Sequence, residues 1–266
     1  MTDAADEIDG SKAPLMDHLV ELRRRLLVSI AALAVAFGIA FTQAKTIFAF
    51  LVQPLVRAEG PGVHTQLIFT KLYEAFFVQV KVAAFAAVVI AFPIIANQLW
   101  AFVAPGLYKN EKRAFLPFLI MTPVLFTAGA ALAYYVVAPI SFRFFLKFND
   151  NGATTGFAQT ALPAMNDYLS LIMHFMAGFG IAFLLPVLLM LLERAGIVTR
   201  AQLKAARRYA IVGAFIVAAV LAPPDVVSQC LLAIPLIALY EASIVGIWFS
   251  ERKRARAAAT LPAIPS

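Results

Sequence analysis

Charged residues are scarce in this sequence of 266 residues. Asp, Glu, Lys and Arg make up only 14% of it and hydrophobic residues 62%, whereas about a quarter of an ordinary soluble domain is charged. The mean hydropathy is +0.84, and 23 residues are phenylalanine. This composition excludes a soluble globular protein and predicts an all-α polytopic membrane protein.

Cysteine and histidine are also rare. The single Cys230 excludes a disulfide within the chain and a thiolate metal cluster. His18, His64 and His174 are scattered without metal-ligand spacing, so neither a metal nor another cofactor is expected. The net charge of +7 comes from short basic clusters between apolar runs. That pattern indicates membrane topology rather than nucleic-acid binding.

A basic n-region is missing as well, so the first apolar run is expected to stay as a helix and not to be cleaved as a signal. A helix of about 20 residues spans the hydrocarbon. Six spans are expected, at about 26–42, 76–102, 115–142, 169–192, 209–222 and 226–249.

The fifth expected span, residues 209–222, is short. Its 14 residues reach about 21 Å, less than a hydrocarbon core of about 30 Å, unless the bilayer thins or the ends are wet. A re-entrant hairpin formed by the last two runs is therefore the alternative to two full crossings.

Lysine and arginine set the orientation. With six crossings, 16 of the 22 basic residues fall on the side that holds both termini and 6 on the other, which predicts cytoplasmic termini. The expected organisation is a cytoplasmic segment with an amphipathic helix start (1–25), a membrane domain (26–249) and a cytoplasmic tail (250–266). External loops at about 43–75 and 143–168 are expected to form a partly ordered cap.

One carboxylate stands among arginines just before the first span. Glu21 precedes Arg23, Arg24 and Arg25, and on a helix it shares a stripe with Arg25. One interpretation is a local pair four residues apart, worth about 0.2–0.5 kcal/mol at a wet surface. The other is a site for basic groups of a ligand.

A second carboxylate, Glu111, lies among Lys109, Lys112 and Arg113 in the loop after the second span. An ordinary solvated loop is one interpretation of this segment. Glu21 and Glu111 both belong to the predicted cytoplasmic side, however, and each can accept the two-pronged hydrogen bonds of a guanidinium. Converging carboxylates would suit a ligand with two arginines.

The turn before the last span carries a further polar group. Asp225, directly after Pro223 and Pro224, is a good N-cap for the sixth helix. Gln229, one turn later, needs a partner from another helix or a lipid headgroup. Glu241, inside the last apolar run, is either functional or paired with one of the arginines at 207–208.

Three stretches together resemble the signature sequences of the TatC family, the multispanning receptor subunit of the twin-arginine protein translocase. They read HLVELRRR at 18–25, WAFVAPGLYKNE at 100–111 and PPDVVSQ at 223–229. The likeness covers all but about the first dozen and the last fifteen residues.

This resemblance implies six helices in a concave, glove-like arrangement, with short fifth and sixth helices and cytoplasmic termini. It implies a receptor and scaffold in the bacterial cytoplasmic membrane, not an enzyme. The implied ligands are twin-arginine signal peptides of folded exported proteins. The implied partners are single-span TatA-type and TatB-type subunits in a homo- and hetero-oligomeric complex driven by the proton-motive force.

The resemblance also assigns roles to individual residues. Glu21 and Glu111 would bind the paired arginines. The residues implied to shape that site are Arg23, Phe102, Tyr108 and Lys109. The residues implied in partner docking or translocation are Pro54, Asp225 and Gln229.

Two positions depart from the family pattern. Leu184 stands in the fourth span where many relatives carry a polar or acidic residue, and Ala222 stands where some have Thr. The competing function is a secondary transporter in which Lys81, His174 and Glu241 form a proton or ion relay. A membrane-protein assembly factor, whose cargo would lack paired arginines, is a third possibility.

Overall fold

The computed structural model describes residues 3–60, 65–107, 112–149, 161–221 and 225–259. Side chains are described for residue 16 and for 18–60, 65–102, 118–149, 161–221 and 225–252. Almost all of this part of the chain is helical. Five of its helical segments are long and apolar enough to cross a membrane, so the all-α polytopic prediction is confirmed.

The helices follow the predicted apolar runs and add two outside them, α2 and α8. In chain order the elements of the described residues are α1 (Asp3–Thr42), α2 (Ala44–Glu59), α3 (Glu74–Leu107), α4 (Lys112–Leu132), a π-helical turn (Ala133–Val137), α5 (Ala138–Leu146), α6 (Met165–Ala182), α7 (Leu185–Arg194), α8 (Arg200–Ala205), α9 (Arg207–Leu221) and α10 (Val226–Ala259).

The last two spans differ in length. The fifth predicted span corresponds to α9, which has 15 residues, so the short fifth helix is confirmed. The short sixth helix is wrong, because α10 has 34 residues and its apolar part alone covers Val226–Arg252. The charged residues after the apolar run are Glu, Lys and Arg, which are good helix formers, so the helix continues past the end of the run.

Two expected segment boundaries fall inside continuous helices. Helix α1 runs without a break through residues 25 and 26, and α10 runs through residues 249 and 250. These boundaries therefore mark changes in composition, while the backbone continues as helix. Where the membrane begins along each helix stays a prediction.

Prolines divide the third and fourth spans. Pro139 follows the π-helical turn, in which the Ala138 N–H donates to the Ala133 carbonyl five residues back. Pro186 follows the break at residues 183–184 between α6 and α7. Because proline has no N–H and its ring clashes with the preceding turn, the helix widens or stops before it.

The chain forms two compact units, one from residues 1–48 and 76–123 and the other from 49–75 and 124–266. In the first unit, α1 packs against α3 through small side chains one helical turn apart. The buried members are Ala36, Ala40, Ala44, Ala83, Ala86, Ala87 and Ala91. Such residues allow close backbone approach where lipid provides no hydrophobic drive for association.

In the second unit, glycines allow α6 to approach α4 closely. A side chain at Gly129 would collide with the backbone carbonyl of Phe179, and one at Gly180 would collide with the ring of Phe126. Helix α10 packs on α7, α8 and α9. These contacts bring four helices of the second unit together around α10.

Two ion pairs connect α10 to the basic segment before α9. Arg200 contacts Glu251 at 3.1 Å, and Arg207 contacts Glu241 at 2.7 Å. The hydroxyl of Tyr240 donates to the Leu203 carbonyl at 2.7 Å. Glu241, for which the sequence left two interpretations open, is therefore the ion-pair partner of Arg207.

The second unit also contains a cap, which we define as residues 49–59 of α2 together with 65–73 and 161–164. Pro54 is buried inside α2. Because it has no N–H, it cannot serve the carbonyl of Phe50 four residues back. The hydroxyl of Tyr134 donates to that carbonyl at 2.7 Å, and Tyr168 donates to the next one, Leu51, at 2.8 Å.

The other two parts of the cap are joined by backbone pairing. Ile68 and Ala164 form a parallel bridge, with the Met165 N–H donating to the Ile68 carbonyl at 2.8 Å. The carboxylate of Glu74 accepts from the Thr70 N–H at 3.1 Å and from the Asn166 N–H at 3.4 Å. The predicted ordering of the loops is therefore observed over the described cap residues.

Tyr134→Phe should destabilise the protein because it removes the donor that serves the Phe50 carbonyl. We expect the free energy of unfolding to fall by about 1–3 kcal/mol, the usual cost of an unsatisfied buried polar group. In a Pro54→Ala background the new N–H of residue 54 can serve that carbonyl, so Tyr134→Phe should cost clearly less. Denaturant unfolding in detergent and hydrogen exchange of α2 measure both values.

Tyr135→Phe is the matched control, because Tyr135 is the exposed neighbour of Tyr134 and keeps the same ring. It should leave unfolding and α2 exchange nearly unchanged. Equal costs of Tyr134→Phe with and without Pro54 would contradict the role assigned to the Phe50 carbonyl.

Candidate functional site

Polar side chains of α1 and α3 meet at the arginine-rich end of the first unit. The Arg25 guanidinium donates to the side-chain oxygen of Gln98 at 3.4 Å. The His18 ring stacks on Phe102, with 4.3 Å between ring centroids and 18° between planes. Residue numbers fall along α3 as they rise along α1, so the helices are antiparallel and the alanine contacts set this register.

Glu21 lies between these two contacts on the same stripe of α1. Arg25 donates to one carboxylate oxygen, Oε1, from Nε at 2.9 Å and also from Nη2. The Glu21 side chain is 34% exposed and that of Arg25 is 25% exposed. The local pair anticipated from the sequence therefore forms, and the carboxylate remains within reach of solvent.

This arrangement can receive a further cationic donor. A carboxylate offers about four acceptor positions, and both bonds from Arg25 end on Oε1 of Glu21. Gln98 holds Arg25 from the other side through its amide oxygen. A planar guanidinium matches carboxylate geometry with two parallel hydrogen bonds, which an ammonium cannot do.

The other residues implied for this site do not all join it. Phe102 is present through its stack on His18. Arg23 is exposed and lies on another face of α1, where it lines a separate groove. Tyr108, Lys109 and Glu111 lie outside the described residues, so their roles stay predictions.

The polar residues of the turn before α10 lie in the second unit. The Asp225 carboxylate accepts from the Ser228 N–H at 2.7 Å, which confirms the predicted N-cap. The Gln229 amide donates to the Phe215 carbonyl of α9 at 3.3 Å. Gln229 therefore finds the partner on another helix that its position in an apolar helix requires.

Pro54, the remaining implied residue, lies in the cap described above. The proposed relay residues of a transporter have local partners instead: Glu241 pairs with Arg207, and a ring nitrogen of His174 contacts the Ser170 carbonyl at 2.6 Å. Among the described residues, no three His, Cys, Asp or Glu side chains come together as a metal site.

Sequence reasoning missed three polar residues, namely Gln98, Tyr134 and Tyr168. The signal for Gln98 was available, because a polar amide near the end of an apolar span needs a partner. The two tyrosines could have been matched to the carbonyls that Pro54 and its turn expose, but only after α2 was known to be helical.

The residues 17–235 match the sequence pattern of the family described as "Sec-independent protein translocase protein (TatC)". The chain belongs to the TatC family. A TatC protein of Magnetococcus marinus is 48% identical over 244 residues, which cover 92% of this chain and 87% of that protein. The TatC protein of Aquifex aeolicus is 41% identical over 91% of this chain and 97% of its own length.

The fold agrees with that assignment. A crystal structure of the twin-arginine translocase receptor TatC in the detergent DDM matches with a TM-score of 0.74 and 40% identity, over 86% of this chain and 98% of the other. The chain is therefore a multi-pass membrane component of the Sec-independent translocase and acts with other components of it. It is a transport protein rather than an enzyme.

Ala87→Leu should disrupt the register of α1 against α3. Ala87 is fully buried at that interface, and overpacking typically costs about 1–3 kcal/mol. We expect lower thermal stability and a longer distance between spin labels placed at residues 25 and 98. Ala84→Leu is the control, because Ala84 is exposed on the same helix and should tolerate the larger side chain. Equal effects of the two changes would contradict the interface role of Ala87.

Proposed function

We propose that this chain is the receptor and scaffold subunit of the twin-arginine translocase, and that Glu21 binds an arginine of the signal peptide. The observation that carries this proposal is the state of Glu21: an accessible carboxylate already held in the geometry of a guanidinium complex by Arg25. The site is therefore shaped for arginine before any ligand arrives.

Binding would proceed by exchange. An incoming guanidinium takes hydrogen-bonding positions on Glu21, while Gln98 keeps Arg25 close by through its own bond. The stack of His18 on Phe102 fixes the neighbouring turns of both helices. Because lysine provides a point charge without a planar fork, a pair of lysines would bind more weakly.

The second arginine would bind Glu111. Helix α3 ends at Leu107, four residues before Glu111, and four residues of chain reach at most about 14 Å. Phe102 lies on the same helix one and a half turns before Leu107 and touches His18. The chain length thus allows Glu111 to reach a peptide held at Glu21.

The orientation follows from the basic clusters. Arg23, Arg24 and Arg208 are exposed near ends of spans and belong to the side with 16 of the 22 basic residues. We propose that this side, with both termini, faces the cytoplasm of a bacterial inner membrane. Signal peptides of folded precursors would reach Glu21 from that side.

Glu21→Gln should reduce photocrosslinking between this site and a twin-arginine precursor to background, because an amide cannot pair with a guanidinium as an anion does. Arg25→Gln is the matched variant, since it breaks the same local pair while leaving the acceptor. It should keep crosslinking at or above the wild-type level. Site-specific crosslinkers at residue 18, with RR and KK precursors compared, measure this.

If the pair served only local helix stability, both variants would alter stability alike and neither would alter crosslinking. That outcome, or undiminished crosslinking in Glu21→Gln, would overturn the proposal. An RR precursor that crosslinks no better than a KK precursor would overturn it too.

The α9–α10 pair would recruit TatA-type and TatB-type single-span subunits. Helix α9 is short and has exposed apolar side chains along its length, including Val212, Ile216 and Val220. Gln229 lies between the two helices at the end where Asp225 caps α10. A partner helix could pack here while the proton-motive force drives transport in the assembled complex.

Gln229→Leu should weaken the recovery of a TatA-type subunit in co-purification by several fold, because the bond to the Phe215 carbonyl that fixes α10 against α9 is lost. Crosslinking of a twin-arginine precursor at the other unit should remain. Val226→Leu, at an exposed position one turn away, is the control and should behave as wild type. Normal recovery of the TatA-type subunit with Gln229→Leu would count against this docking site.

A further inference from the structure

A groove of about 470 Å³ runs along α1, on a different face from the one that packs on α3. The residues that line it are Val20, Arg23, Arg24, Leu27, Val28 and Ala31. At about 100° per residue, its centre is rotated by roughly 150° from the stripe that holds Glu21 and Arg25. One helix therefore carries an acidic face toward α3 and a basic, grooved face away from it.

The groove combines two guanidiniums with an aliphatic floor. Among the described side chains, neither Arg23 nor Arg24 has a carboxylate or carbonyl partner. Leu27 is 56% exposed and Val28 is 41% exposed, and both belong to the apolar span. The basic end of the groove thus lies where the span begins, and its floor extends into the hydrocarbon.

We propose that this groove binds one anionic glycerophospholipid, with its phosphate on Arg23 and Arg24 and an acyl chain along Leu27, Val28 and Ala31. Charge decides the headgroup, because arginine forks bind phosphate oxygens in pairs. Length suits the chain, because Arg24 to Ala31 rises about 10 Å along the helix within a leaflet of about 15 Å of hydrocarbon.

The bound lipid would also serve the neighbouring site, and this part of the inference rests on the proposed function. Arg23 and Arg24 lie within one turn of Glu21 in the sequence, so their charges oppose a cationic peptide. An anionic phosphate on the groove face cancels part of that repulsion. The acidic face then presents its charge to the peptide without a net basic background.

The test uses the full chain in nanodiscs of phosphatidylcholine that contain a small fraction of photoactivatable phosphatidylglycerol, with a photoactivatable phosphatidylcholine of the same chains in parallel. Adducts on the peptide that covers residues 20–31 are quantified by mass spectrometry. Phosphatidylglycerol adducts should exceed phosphatidylcholine adducts by about tenfold, given the usual attraction of two basic residues to an anionic leaflet. Arg23→Gln with Arg24→Gln should remove that excess.

Arg208→Gln with Arg252→Gln is the control, because it removes the same charge from two exposed arginines that lie on aromatic rings outside the groove. It should keep the excess. Arg23→Lys with Arg24→Lys retains the charge and should keep part of it, which covers the case in which the glutamine variant fails to fold.

Equal labelling by the two lipids in the wild-type protein would overturn the proposal, as would an excess that persists without Arg23 and Arg24 or disappears in the control. Crosslinking of a twin-arginine peptide at residue 18 is read in the same nanodiscs. Lipid selectivity without peptide crosslinking would leave the lipid site standing and sink the proposed receptor function, whereas peptide crosslinking without lipid selectivity would do the reverse.

Discussion

Close packing of alanines between α1 and α3 determines where the polar groups of the first unit lie. In a membrane the apolar parts of two helices gain little by leaving lipid, so the interface depends on shape and on small residues. The stripes that contain Ala36 and Ala87 fix one register of two antiparallel helices. That register brings Arg25 to Gln98 and His18 to Phe102, and Glu21 lies between these contacts.

The cap of the second unit obeys the complementary constraint, which is that a backbone carbonyl in an apolar setting needs a donor. Pro54 removes one donor inside α2, and the hydroxyl of Tyr134 replaces it. A helix that carries its own defect can dock only where the missing donor is available. The proline thereby selects the position of α2 along the span that bears Tyr134, in addition to bending the helix.

Features set by neighbours in sequence could be predicted, while features set by packing could not. The pair of Glu21 with Arg25 and the cap formed by Asp225 depend on residues at most four positions apart. The bond between Arg25 and Gln98 joins residues from two helices, so it needs the register first. The length of α10 was missed because an apolar run shows where lipid ends, whereas a helix continues through any good helix formers that follow it.

The exchange at Glu21 explains why a receptor of this design would require two arginines rather than one. A single incoming guanidinium replaces contacts that Arg25 already makes, so the number of charge-assisted bonds on the carboxylate changes little. Little free energy is gained by that step alone, although its geometry excludes lysine. The net gain must come from a second guanidinium at a carboxylate such as Glu111, and the first arginine then acts as the register mark that brings the second into place.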